Sequence, residues 1–419
     1  MSYIVFVNKP IPSLKGVVEV PVSKSVANRF LVLDFLCGFE RYQTPQSNWP
    51  RDIHAIWQAL QQIKTGASEI NIEESGTALR FLCSVLSLQQ DRKFTLIGTG
   101  RIPERPMQPL VDALNEMGGQ INYLQKKGFA PLEIHGQALH ATSIEMNGSA
   151  SSQFASALLL IAPFIEGGIR LKIRKESKSL SYLYLTLATL SQYGAKYEYK
   201  DQQIIVPQQP LIPPTIKWPS DWSSIPYFLA LAACVDDAAI FIKDVQKDPS
   251  QADFVAVAIF EKYFGIQCIF ENEGLRIQRL RSVAIEEKLV LNGKDYPDLI
   301  PTIICCAAFL KRPIEISAIE HLRNKESDRL AVLVRELDKV SYRLKESNET
   351  IWQGLYEGEG ALPDHLVFDT ESDHRMAMSL SLFALAGIRI EMTDATCIEK
   401  SFPRYWEMLS ILGIRHDIT

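Results

Sequence analysis

Six times along the chain, a Ser- or Asp-led start runs into a strongly apolar helical stretch. The segments are SKSVANRFLVLDFL from Ser23, SGTALRFLCSVL from Ser75, SSQFASALLLIAPF from Ser151, SSIPYFLALAAC from Ser223, DLIPTIICCAAFL from Asp298 and DHRMAMSLSLFALA from Asp373. Their starts lie 52, 76, 72, 75 and 75 residues apart. A second, more amphipathic helix follows each by about 30 residues, beginning near Asp52, Pro106, Ser181, Ala252, Ser327 and Phe402. Several of these lead into a glycine and a short alternating strand, as in LVDALNEMGGQINYL and LATLSQYGAKYEY.

Near-equal intervals for two helix types predict an internally repeated α/β chain. It would hold six copies of a two-helix, several-strand unit, the first about 20 residues shorter than the rest. The Pro-rich segment VPQQPLIPPTIKWPSD, residues 206–221, suggests where two halves divide, and KGVVEVPVSKS marks a second crossing. The expected domains are 21–219, with three units, and a discontinuous one made of 1–20 and 220–419.

One stretch resists a purely structural reading. In HLRNKESDRLAVLVREL, residues 321–337, Leu330, Leu333, Val334 and Leu337 form the stripe of a core-facing helix. A helix starting near Asn324 would put Lys325 and Arg329 on one face, at a cost of roughly 0.2–0.5 kcal/mol. Both would also sit at the positive end of the helix dipole. Such a placement suits anionic ligands better than it suits an empty helix.

Composition is that of a globular protein, 47% hydrophobic and 22% charged. A net charge of −5 argues against general nucleic-acid or anionic-membrane binding. Seven cysteines without C-x-x-C spacing suggest neither a disulfide framework nor a zinc site. MSYIVFVNKP lacks a secretory pattern and no apolar run nears a bilayer span, so a cytoplasmic protein is expected.

The helix starts carry the candidate chemistry. Hydroxyls and free N–H groups at a helix N-terminus form an anion site, although simple capping explains most of them. The groups concerned are Ser23, Lys24, Ser25 and Arg29; Ser75, Gly76 and Thr77; Ser151, Ser152 and Gln153; Ser223 and Ser224; Asp298; and Asp373, His374 and Arg375. Capping needs an acceptor but no cation, so Lys24, Arg29 and Arg375 point to ligands. Arg101 and Arg105 precede a helix that Pro106 could begin, and Lys400 precedes the last helix. Walker-type, G-x-G-x-x-G, H-E-x-x-H and G-x-S-x-G motifs are absent.

In order, VPVSKSVANR, ESGTALRFL, RIPERPM, NGSASSQF, SDWSSIPYFLA, DYPDLIPT, RNKESDRL, SDHRMAM and KSFPRYW resemble the motifs of the 3-phosphoshikimate 1-carboxyvinyltransferase (5-enolpyruvylshikimate-3-phosphate synthase) family. The resemblance runs from about Pro21 to Trp406. It implies two domains, each an inside-out α/β barrel of three βαβαββ repeats, with the active site in the interdomain cleft. It also implies transfer of the enolpyruvyl group of phosphoenolpyruvate to the 5-hydroxyl of shikimate-3-phosphate, without a cofactor. The implied partners are those two small polyanions, not nucleic acid or membrane, and a monomer is expected.

Roles carry over by resemblance alone. Lys24, Ser25, Arg29, Ser151, Ser152, Gln153, Ser179, Asp298 and Lys325 would contact shikimate-3-phosphate. Lys24, Gly76, Arg105, Gln153, Arg329, Arg375 and Lys400 would contact phosphoenolpyruvate. Asp298 would accept the hydroxyl proton, Glu326 would protonate the methylene carbon, and Lys24 would join the catalytic set. Room beside Gly76 suggests glyphosate sensitivity. The chain departs from the family pattern at Val22, Glu74, Phe81, Leu180–Ser181 and His321, and its first repeat would be trimmed by a strand pair.

Two relatives of the same fold are alternatives. UDP-N-acetylglucosamine 1-carboxyvinyltransferases carry a reactive cysteine where this chain reads GTGRIPERP, which has none. A non-catalytic anion-binding homologue would suit Glu74 but not the retention of Asp298 and Glu326.

Overall fold

The computed structural model describes residues 3–6, 11–41, 44–140, 143–146, 152–173, 180–280, 286–348, 351–358 and 362–418. The chain separates into two compact units, Lys24–Trp218, and Met1–Ser23 together with Pro219–Thr419. Among the described residues, no helix is long and apolar enough to cross a membrane.

Among the described residues, five four-stranded sheets share one strand pattern: a parallel pair followed by two antiparallel strands. In one, Leu289–Asn292 runs parallel to Ile314–Ser317, which pairs antiparallel with Ile351–Tyr356 and through it with Tyr342–Asn348. Parallel neighbours require a crossover, and the apolar helix Ile300–Phe309 provides it. That helix is buried from Ile300 to Ala308, and Ile225–Ala233 is buried at every position. This explains why the first helix of each repeat reads as apolar all round rather than striped. Pro226 and Pro301 sit in the first turns of these helices, where a missing N–H costs nothing.

The second helices are amphipathic. In Arg329–Asp338 the buried residues are Arg329, Leu330, Val332, Leu333, Glu336 and Leu337. Val334, expected in the stripe, is 37% exposed, and Val332 takes its place. Inward anchoring of Arg329 and Glu336 turns the helix away from the purely apolar register.

Two sheets of the second unit are completed by the start of the chain. Tyr3–Phe6 lies between Arg389–Thr393 and Arg415–Ile418, with Tyr3 opposite Met392 and Ile418. Ser13–Val18 runs parallel to Asp237–Lys243, pairing Leu14 with Ala238. The first repeat consists of helices Lys24–Leu36 and Arg51–Lys64, with no strand between them among the described residues. Its shortening therefore goes beyond the strand pair expected.

Candidate active site

In the unit containing residues 219–418, the stretch HLRNKESDRL is not one helix. A short 3-10 turn, Glu320–Asn324, ends in an extended Lys325, and the α-helix begins only at Arg329. Asp328 is its N-cap, accepting from the Ala331 N–H at 3.0 Å. An aspartate cap outcompetes an earlier start, so the expected like-charge pair of Lys325 and Arg329 on one helical face does not form.

Arg329 is 1% exposed and meets three carboxylates. Its Nε donates to Asp373 Oδ2 at 2.7 Å, Nη1 to Asp298 Oδ1 at 2.9 Å and Nη2 to Glu326 Oε2 at 2.8 Å. Burial alone would favour loss of its proton, but Asp373, Glu326 and Asp298 outweigh burial and hold the guanidinium firmly charged. The other oxygen of Asp298 faces Arg375 Nη2 at 3.1 Å, and Glu326 Oε1 lies 3.8 Å from Lys400 Nζ. Three cations thus face three anions in one cluster that is closed to solvent at Arg329 and Asp373 and partly open at Glu326 and Lys400.

Asp373 is the hinge of this cluster. It N-caps helix His374–Leu380 through the Arg375 N–H at 2.9 Å and accepts from Ser327 Oγ at 3.1 Å. Arg375 Nη1 also donates to the Tyr227 hydroxyl at 3.4 Å. Asp298 lies just ahead of helix Ile300–Phe309, so three helix starts from two successive repeats converge here.

The unit Lys24–Trp218 has its own set. Lys24 opens helix Lys24–Leu36, and its Nζ lies 3.0 Å from Asp52 Oδ2. Arg29 is 2% exposed, and among the described residues no carboxylate pairs with it. Its Nε donates to Thr186 Oγ1 at 2.8 Å, Nη1 to the Ser25 carbonyl at 2.6 Å and Nη2 to the Tyr182 carbonyl at 3.0 Å. Burial pushes its proton affinity down to about 10, opposed by Tyr182. Arg29 therefore ties the Lys24–Ser25 helix start to helix Leu180–Gln192.

Ser75 caps helix Gly76–Ser87 through the Ala78 N–H. A Cβ on Gly76 would come 2.9 Å from Arg80 Nη1 and 3.2 Å from Arg105 Nη2, so the Arg105 guanidinium lies directly over Gly76. Arg80 clamps the arrangement, donating to the carbonyls of Gly76 at 2.9 Å and Pro106 at 3.1 Å. The following helix starts at Gln108 rather than Pro106, with Pro109 in its first turn. Gln153 Nε2 donates to Thr77 Oγ1 at 3.3 Å, bringing helix Ser152–Ile161 to the same start. Glu74 lies against Gly100, whose Cβ would meet Glu74 Oε1 at 2.9 Å. Ser151 and Ser179 lie outside the described residues.

The structure thus gathers Asp298, Glu326, Arg329, Arg375 and Lys400 in one unit, and Gly76 and Arg105 in the other. Sequence reasoning missed the partners: Asp52, Arg80, and Asp373 as a three-way acceptor. Their signals, an acid or arginine in a helical first turn or two, are indistinguishable from ordinary capping.

Solved structures of other proteins share this fold. An EPSP synthase of Acinetobacter baumannii superposes with a TM-score of 0.75 at 21% identity, covering 100% of both chains. The enolpyruvyl transferase NikO of Streptomyces tendae gives 0.70 at 15% identity, covering 99% of this chain and 98% of that one. The EPSP synthase (3-phosphoshikimate 1-carboxyvinyltransferase) family matches residues 48–409, and the chain belongs to that family. A 3-phosphoshikimate 1-carboxyvinyltransferase of Bacteroides fragilis (strain YCH46) is 33% identical over 405 residues, 96% of each chain. Another, from Shewanella baltica (strain OS185), is 30% identical over 435 residues, 96% of this chain and 98% of that one.

Proposed function

We propose that the protein transfers the enolpyruvyl group of phosphoenolpyruvate to the 5-hydroxyl of shikimate-3-phosphate, releasing phosphate. The observation that carries this reading is the pairing of Asp298 and Glu326 through one buried arginine, in a chain of the EPSP synthase family.

Asp298 accepts the 5-hydroxyl proton as that oxygen bonds to C2 of phosphoenolpyruvate, and Glu326 protonates C3. The tetrahedral adduct then loses a C3 proton back to Glu326 as the C2–O bond to phosphate breaks. The proton on Asp298 goes to the departing phosphate. Without substrate, two guanidiniums stabilise the Asp298 anion and make it a reluctant base. A substrate anion that draws Arg375 and Lys400 toward itself relaxes that hold on Asp298 and Glu326. Base strength would then rise only when phosphoenolpyruvate is in place. Arg329, engaged with three carboxylates, sets the spacing of acid and base while contributing charge to the phosphoenolpyruvate site.

Arg105 over Gly76 supplies a second cation for phosphoenolpyruvate. Lys24, Ser25, Ser151, Ser152, Gln153, Ser179 and Lys325 supply contacts to shikimate-3-phosphate, with Lys24 and Gln153 also reaching phosphoenolpyruvate and Arg29 setting the Ser25 backbone. On this reading the protein acts in the cytoplasm as a monomer. Incubation with phosphoenolpyruvate and either shikimate-3-phosphate or UDP-N-acetylglucosamine, followed by phosphorus NMR, tests acceptor choice. An enolpyruvyl ether with the first alone supports the reading; product with the second alone overturns it.

A further inference from the structure

Asp253 stands at the start of the turn Ala252–Val255, which leads into helix Ala256–Phe264, and is 2% exposed. Its Oδ2 accepts from Ser223 Oγ at 2.5 Å, while Oδ1 is buried with no hydrogen-bond partner. No ion pair involves it among the described residues. Three charges act on it electrostatically: Asp298 and Asp221 repel its anion, and Arg375 attracts it. Asp221 accepts from Ser224 Oγ at 2.7 Å, and Tyr227, which takes a bond from Arg375, is kept neutral by burial. An ionised carboxylate with one neutral donor and two like-charged neighbours is a poor occupant of such a place. Burial first, then Asp298, push the Asp253 carboxyl up to about 7.

We propose that Asp253 is the neutral acid in the resting protein below neutral pH and acts as a positioning residue, leaving the charge of Arg375 to Asp298 and to incoming phosphoenolpyruvate. This rests on the enolpyruvyl-transfer reading, in which Arg375 binds phosphoenolpyruvate. With Oδ2 taken by Ser223, the proton occupies Oδ1. Ionisation of Asp253 adds an anion that competes for Arg375. Because Arg375 holds ground and transition states alike, the effect falls on KM rather than kcat.

The test compares the phosphoenolpyruvate KM of the wild type and Asp253→Asn from about pH 6 to 9, with shikimate-3-phosphate saturating. A one-unit coupling between Asp253 and the bound anion corresponds to about a tenfold rise in wild-type KM across neutrality. The variant should lack that rise, keeping only the part due to phosphoenolpyruvate's own ionisation, with kcat near pH 6.5 changed by less than about twofold. Ser223→Ala removes a donor that favours the anion and should move the wild-type inflection to higher pH. Superimposable KM profiles, or an equal loss of kcat at every pH, overturn the proposal. An infrared difference spectrum between ligand-free wild type and Asp253→Asn reads the proton without turnover. Absence of an acid carbonyl band near pH 6 contradicts the proposal, whereas its presence in a protein that never turns over faults the enolpyruvyl-transfer reading instead.

Discussion

Arg329 and Asp373 form an ion pair of 2.7 Å in which both side chains are closed to solvent, 1% and 0% exposed. The pair joins the start of one repeat's second helix to the cap of the next repeat's first helix. Removing one partner strands the other as a buried charge. Asp373→Ala should therefore destabilise the protein by about 3–5 kcal/mol, measured by urea unfolding. Arg329→Lys keeps the charge but loses the three-way fork. It should lower kcat/KM by at least about a hundredfold while costing less stability; near-normal activity would remove Arg329 from the account.

Glu326 touches Arg329 and Lys400 without being enclosed, at 21% exposure. If it moves the proton to and from C3, Glu326→Gln should lower kcat by roughly 10²–10⁴. The shikimate-3-phosphate dissociation constant, read by calorimetry, should change only a few-fold. Equal losses in both would mark a structural residue.

Gly76 has an ordinary backbone conformation, so alanine strains nothing there except the guanidiniums above it. The added Cβ would press on Arg80 at 2.9 Å and Arg105 at 3.2 Å. Gly76→Ala should raise the phosphoenolpyruvate KM about tenfold, with a stability change below about 1 kcal/mol. Glyphosate inhibition, expected of the wild type, should weaken in parallel if both anions use the space over Gly76. Inhibition constants for the two proteins check this.

Stability should also follow the proton on Asp253. Its folded value of about 7 stands above the unfolded one of about 3.9. Between those values the folded state binds more protons than the unfolded state, so this group's contribution falls as pH rises. Tm of Asp253→Asn relative to wild type should increase steadily from about pH 4 to 7; a flat difference would show that the carboxyl is ionised throughout.

Tyr193 donates to Asp34 Oδ1 at 2.5 Å within a buried pair that Arg41 completes by binding both oxygens of Asp34. This trio braces the first repeat, which has no sheet of its own among the described residues. Tyr193→Phe should cost about 1–3 kcal/mol in unfolding free energy and leave the phosphoenolpyruvate KM unchanged.

The repeat was legible in the sequence because its first helices are buried on all sides and so write continuous apolar runs. Ile225–Ala233 and Ile300–Phe309 need no partner information to be seen. Strand pairing at long range writes no such signal. Nothing in SLKGVV announces that Ser13–Val18 lies beside Asp237–Lys243. The residues alone marked the site most clearly where cations sat at helix starts, as at Lys24, Arg29 and Arg375. Its logic was misread at Lys325, because the competing cap at Asp328 moved the helix start. Asp253 in SQADFVAV looked like any first-turn aspartate; its burial beside Ser223 and the influence of Asp298 exist only in three dimensions.

Phosphate release from phosphoenolpyruvate, followed continuously by a coupled assay, tests the central claim most directly. The account predicts steady release that requires shikimate-3-phosphate and yields one phosphate per enolpyruvyl group transferred. No release with both substrates present, or release equally fast without shikimate-3-phosphate, would contradict it.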